Sequence, residues 1–185
     1  DYLRYLEELR QIPTLSGFEN AGQKEVQQLL APLFDESRPA GVSGLLFTKK
    51  CSRENAPVLL IDAHLDEIGL IVTDLKDDGT LTVSSLGSYT FHGKENTPAL
   101  SLKKPYCLGG PEARKLPKNG EFWLFTGFTK EELIQKGVAV GTPVSMERST
   151  ESLSEEQLCG AYMDDKSCAV AALIALEELK GKDLS

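Results

Sequence analysis

His64 is one of two histidines in the chain, and Asp66 follows it at the spacing that puts both side chains on one side of an extended backbone. A carboxylate beside one ring nitrogen fixes the tautomer and orientation of an imidazole that ligates a metal through the other. The residues ahead of it, Pro57-Val58-Leu59-Leu60-Ile61-Asp62-Ala63, form an apolar run that predicts a strand buried on both faces. Open α/β sheets bind their ligands outside the carboxyl ends of the strands, and that is where the run delivers His64. The chemistry this points to is metal-dependent hydrolysis. The pair alone leaves a second reading open: a histidine satisfied by hydrogen bonds at a strand end, with Asp66 and Glu67 as solvated turn residues.

Asp164-Asp165 is the second chemical feature, standing just before an apolar helix pattern. An aspartate in that place is the expected N-cap, and its neighbour favours the helix dipole. The functional reading is a carboxylate at Asp164 that shares its oxygens between two divalent cations about 3.5–4 Å apart. Both readings hold together if Asp165 caps the helix while Asp164 bridges. His92 lies in an irregular stretch and reads as a loop residue. Cys159 and Cys168 flank the aspartates, but soft thiolates mix poorly with hard carboxylate ligands. The pairs Glu131-Glu132, Glu155-Glu156 and Glu177-Glu178 read as solvated faces. No nucleophile elbow, dinucleotide fingerprint or phosphate loop is present in the sequence.

Composition excludes several classes. The 185 residues are enough for one good core or two small ones. A net charge of −8 without a Lys/Arg cluster argues against a nucleic-acid surface. No apolar stretch is long enough to span a bilayer and no secretory h-region is present, so no membrane partner is expected. The four cysteines lack CxxC spacing and read as free thiols of a reducing compartment. The expectation is a cytoplasmic protein. The sequence opens at Asp1 without a methionine and closes at Ser185 directly after a helix pattern, which marks it as a fragment or as short of some residues.

Elements must carry these groups into place. Leu3, Leu6 and Leu9 with Tyr2 and Tyr5 predict a first helix that Pro13 ends. Ser16-Gly17-Phe18-Glu19 has capping-box spacing and opens a helix with Val26, Leu29, Leu30 and Leu33 on one face. Strands are expected around 42–48 and 57–64. Beyond Gly69 the texture becomes β-rich: a hairpin over 70–85 turning at Lys76-Asp77-Asp78-Gly79, a strand at 121–126, a short helix capped by Thr129, and a strand at 142–146. An apolar helix over 169–179, closed by Gly181, restores the α/β character. Two α/β segments on either side of a β-rich insertion imply that His64 and Asp164 meet in space.

The motifs then add up to a resemblance. Ile12-Pro13-Thr14-Leu15-Ser16-Gly17-Phe18-Glu19, Asp62-Ala63-His64-Leu65-Asp66-Glu67-Ile68-Gly69-Leu70-Ile71-Val72, Thr126-Gly127-Phe128-Thr129-Lys130-Glu131-Glu132 with Gly137-Val138 and Gly141, and Met163-Asp164-Asp165-Lys166 resemble, in that order, the glutamyl aminopeptidase family. This is the family of TET-type and deblocking aminopeptidases, some of which carry an endoglucanase label. The match runs from near the first residue to the last helix and is poor over 86–120.

The resemblance implies an α/β fold of the zinc-peptidase, phosphorylase/hydrolase-like three-layer kind, incomplete here, interrupted by a small β-barrel-like domain. It divides the chain into 1–69, the first catalytic part; 70–156, an inserted dimerisation and substrate-access domain; and 157–185, the catalytic return. It implies two divalent metal ions, zinc or cobalt, with His64 ligating one, Asp164 bridging both, and Asp66 acting as the catalytic-site residue that orients His64. It also implies a cis peptide bond after Asp164. The substrates would be peptides losing N-terminal residues, and the partners copies of the same chain, in dimers that build a larger shell.

The chain departs from the family pattern at Lys166, where arginine is usual, and at Ser43-Gly44, where Gly-Asn is usual. The family's general-base glutamate, its neighbouring glutamate ligand, a further aspartate and a last histidine fall beyond the aspartate pair, and the sequence extends only twenty residues past Asp165. Two ligands fall short of the three plus water that catalytic zinc takes, so the chain alone is expected to be inactive. Two rival readings remain: a shortened, non-catalytic relative serving as an oligomerisation module, and a glycoside hydrolase working through paired carboxylates.

Overall fold

The computed structural model describes residues 2–87, 98–101, 104–109, 121–146, 148, 150–155 and 157–179. His92 and Gly181 lie outside the described residues. The chain divides into two compact units, one made of 1–66 with 150–185 and the other of 67–149.

The first unit is built on helices whose apolar residues recur at helical spacing. Helix α1 (Tyr2–Gln11) buries Tyr5, Leu6 and Leu9, and α2 (Asn20–Leu30) buries Val26 and Leu30. Both pack with Val170 and Leu173 of α4 (Lys166–Glu178) into one core. Burying side chains of this size contributes roughly 1.5–3 kcal/mol each. Polar ties lock the same helices: the Tyr5 hydroxyl donates to Glu177 at 2.7 Å, and the buried Lys166 ammonium donates to the carbonyls of Leu9 and Ile12 at 3.0 and 3.1 Å. The latter are carbonyls at the α1 C-terminus, where a cation is favoured. Arg10, fully buried, donates to the Ala161 carbonyl at 2.6 Å and to the Thr150 hydroxyl.

Two antiparallel ribbons complete this unit, β1 (Glu36–Ala40) with β2 (Gly44–Thr48), and β9 (Thr150–Ser152) with β10 (Leu158–Gly160). The strand expected around 42–48 is β2; its partner β1 has no apolar run to announce it and contains Pro39, which a two-stranded ribbon accepts because one strand edge needs no donor.

The run 57–64 departs from expectation. It is extended but joins no ladder, and Val58, Leu59, Leu60 and Ile61 are 94%, 84%, 74% and 57% exposed. An apolar run records a preference for burial; burial also needs a partner strand and covering layers, and the described residues provide neither at 57–64.

The second unit carries its own core. Strands β3 (Gly69–Leu75), β4 (Leu81–Leu86), β5 (Pro98–Ser101), β6 (Lys104–Gly109), β7 (Glu121–Phe125) and β8 (Pro143–Met146) close into an antiparallel barrel in the order β3-β4-β7-β6-β5-β8. Leu70, Val72, Leu81, Val83, Leu124 and Val144 point inward, joined by Leu133 of α3 (Lys130–Gln135) and by Val138. Thr129 caps α3 in a complete capping box with Glu132. Gly79 turns the β3-β4 hairpin at φ +80°, and a Cβ there would lie 1.8 Å from the Phe128 carbonyl oxygen, so only glycine fits. Near the ends of this unit, Arg148 donates to both oxygens of the buried Glu67 at 2.6 Å.

Candidate functional site

The candidate residues of the first unit converge at the end of the extended segment. His64 and Asp66 leave it side by side. Asp164 arrives from the turn between β10 and α4, where Tyr162 adopts φ +62° and the Asp164–Asp165 peptide bond is cis. The Nε2 of His64 lies 3.2 Å from Asp164 Oδ1, across one hundred residues of sequence. Its Nδ1 lies 3.2 Å from both the Asp66 carboxylate and the Asp66 carbonyl. Burial pulls the His64 pKa down, but the Asp66 carbonyl, the Asp66 carboxylate and Asp164 together outweigh it and hold the ring above its ordinary 6.5.

The spacing suits a shared cation. Donors about 2.0–2.1 Å from one zinc at a tetrahedral angle stand roughly 3.4 Å apart, close to the 3.2 Å between Nε2 and Oδ1. Asp164 is 95% exposed, so its second oxygen is open to a further ion. Among the described residues no group of three or more His, Cys, Asp or Glu side chains is placed to hold a metal. Of the described residues, His64 Nε2 and Asp164 Oδ1 would be the two donors to such a centre.

Asp165 departs from its expected role. It stands at the N-cap of α4, but its side chain makes no cap hydrogen bond; its backbone carbonyl accepts from Cys168 and Ala169 instead. Its carboxylate faces the Cys168 thiol and, with burial adding to the effect, pushes that thiol above its usual range. Cys159 and Cys168 are both exposed free thiols.

Ser16 was also expected to cap a helix and does not. Helix α2 begins at Asn20 with Glu19 at the N-cap and no side-chain cap. The Ser16 hydroxyl instead donates to Asp66 Oδ2 at 2.6 Å. Two residues earlier, the buried Thr14 donates to the Leu65 carbonyl at 2.5 Å. Sequence reasoning passed over both hydroxyls as ligand supports, because serine followed three residues later by glutamate also spells a capping box. A polar pair bracketing the buried Leu15 between two helices was the available signal.

Comparison with known proteins adds a family to this geometry. Residues 44–185 match the family described as M42 glutamyl aminopeptidase. A glutamyl aminopeptidase of Lactococcus lactis is 35% identical over 81 residues, which is 44% of this chain and 23% of that protein. The solved aminopeptidase of the archaeon Desulfurococcus kamchatkensis superposes with a TM-score of 0.82 at 25% identity, over 97% of this chain and 52% of its own. The TET1 peptidase of Pyrococcus horikoshii, described as assembling into a tetrahedron or a large octahedral shell, gives 0.74 at 20% identity, over 100% of this chain and 58% of its own. The chain thus spans little more than half the length of these solved structures.

Proposed function

The chain belongs to the M42 glutamyl aminopeptidase family, and from that premise we propose that it is the amino-terminal part of a dinuclear metal-dependent aminopeptidase that removes N-terminal residues from peptides. The observation that carries this reading is the approach of His64 Nε2 to Asp164 Oδ1 at 3.2 Å. Strand-end satisfaction of His64 does not call for a second acceptor delivered from a segment one hundred residues away.

In this reading His64 would hold one ion and Asp164 would serve both, zinc or cobalt. When bound, such ions polarise the carbonyl under attack and lower the pKa of water. The chain's own residues prepare that chemistry. Asp66 accepts from Nδ1, fixes the ring and directs Nε2 outward. Arg10 grips the Ala161 carbonyl and Lys166 the end of α1, bracing the segment that presents Asp164 from both sides. The remaining ligands and the general base would come from residues outside this chain, so the chain alone lacks peptidase activity.

The catalytic part would comprise 1–69 and 157–185, with 70–156 as the inserted dimerisation and substrate-access domain. Kinship with shell-forming peptidases supports a homo-oligomer built from dimers. No helix among the described residues is long and apolar enough to cross a membrane; a cytoplasmic location is part of the proposal.

The test is release of arylamine from aminoacyl arylamides by the protein extended to the length of its relatives. Activity should vanish with chelator, return with zinc or cobalt, and fall at least about 100-fold in His64→Ala and Asp164→Asn, since each removes a direct ligand. Activity that survives exhaustive chelation overturns the metal reading. Activity of the present chain by itself overturns the claim that it is incomplete.

A further inference from the structure

Asp66 has two oxygens, and only one can face His64. Oδ1 lies 3.2 Å from Nδ1, while Oδ2 accepts the Ser16 hydroxyl at 2.6 Å. That length belongs to a charge-assisted O–H···O⁻ bond, which is stronger than a neutral one. Asp66 is otherwise a half-exposed side chain, 44% accessible, free to turn its carboxylate towards water. The Ser16 bond removes that freedom.

Ser16 is itself held in place. It sits in the short connection between α1 and α2, where Leu15 and Thr14 are buried and Thr14 ties to the Leu65 carbonyl. Gly22 of α2 presses against this connection so closely that a Cβ would meet the Pro13 carbonyl oxygen at 2.5 Å and the Ile12 side chain at 2.6 Å. Two hydroxyls spaced two residues apart thus grip consecutive residues of the ligand segment, Thr14 by its backbone and Ser16 by its carboxylate.

We propose that Ser16 is a positioning residue for the His64 site: by anchoring Asp66 Oδ2 it turns Oδ1 to accept the Nδ1 proton, so that the neutral ring carries its proton on Nδ1 and presents the Nε2 lone pair on the Asp164 side. The benefit to a metal at Nε2 rests on the function proposed above; the effect on the tautomer does not.

The experiment reads the tautomer directly in the metal-free chain, from the ¹⁵N resonances of the His64 ring at a pH where the ring is neutral, with His64→Ala identifying the signals. Nδ1 has two acceptors, the Asp66 carboxylate and the Asp66 carbonyl, against the single Asp164 oxygen that competes for the proton at Nε2. The Nδ1–H form should therefore dominate in the native chain. Its ratio to the Nε2–H form should fall about threefold or more in Ser16→Ala, the scale of losing one supporting hydrogen bond. Ser16→Thr should restore it and the isosteric Ser16→Val should not, a pair that decides the matter even if the alanine variant folds poorly. An unchanged ratio in both Ser16→Ala and Ser16→Val overturns the proposal. In the protein extended to the length of its relatives, zinc should move Nε2, with affinity weakened about 10-fold in Ser16→Ala, the lower end of the range for supporting partners. A native ring that ignores zinc while its tautomer still depends on Ser16 overturns the metal reading and leaves the positioning role standing.

Discussion

Among the described residues of the 67–149 unit six strands close on one another, leaving no open edge in that sheet, and eight buried apolar residues from strands, helix and turn fill the interior. In the other unit the helices share a core, yet Val58, Leu59, Leu60 and Ile61 stand exposed on an unpaired backbone. The candidate chemistry, His64, Asp66 and Asp164, lies wholly in this helical, less self-sufficient unit. The barrel finishes its packing with its own residues. The unit that carries the candidate ligands leaves an apolar segment exposed, and the proposed metal centre has only two donors among its described residues.

The sharpest way to break the comparison is to truncate equivalent leucines. Leu124→Ala, in the barrel interior at 0% exposure, should cost about 2–5 kcal/mol. Leu60→Ser should stay within about 0.5 kcal/mol in this chain, as exposed substitutions do. Urea midpoints for the two variants check the contrast, and equal losses would show that the 57–64 segment is covered in solution.

A smaller effect separates the electrostatics of the ligand-bearing unit. His64 has a folded pKa raised above 6.5, despite burial, by the Asp66 and Asp164 acceptors. The folded state therefore binds its proton more tightly than the unfolded state does. The stability this contributes is complete below about pH 6.5 and is lost as pH rises through the raised value. The destabilisation caused by His64→Ala should accordingly be larger near about pH 5.5 than near about pH 9, and salt should shrink it, because the ring is half exposed. A difference that grows with pH would contradict the ion-pair account.

Much of the fold was legible because its signals are local. Tyr5, Leu6 and Leu9 gave α1 through their period, Lys76-Asp77-Asp78-Gly79 gave the β3-β4 turn, and Thr129 with Glu132 gave the cap of α3. What was not legible depends on distant partners. Barrel closure joins β3 to β8, a pairing that no window of sequence contains. The run 57–64 advertises hydrophobicity but not what covers it. In the site, His64, Asp66 and Asp164 stood out by residue type, spacing and resemblance. Ser16 did not, because its local pattern spelled a helix cap while its hydroxyl went to Asp66, fifty residues on. Asp165 misled in the same way, since its backbone carbonyl, not its carboxylate, serves the start of α4.

The central claim is that His64 and Asp164 share a divalent cation. Zinc titration of the protein extended to the length of its relatives, followed at the His64 ring nitrogens, tests it most directly. The account predicts that zinc shifts Nε2 and that Asp164→Asn weakens the binding by about 10-fold or more. Zinc binding to His64 that is indifferent to Asp164 would contradict it.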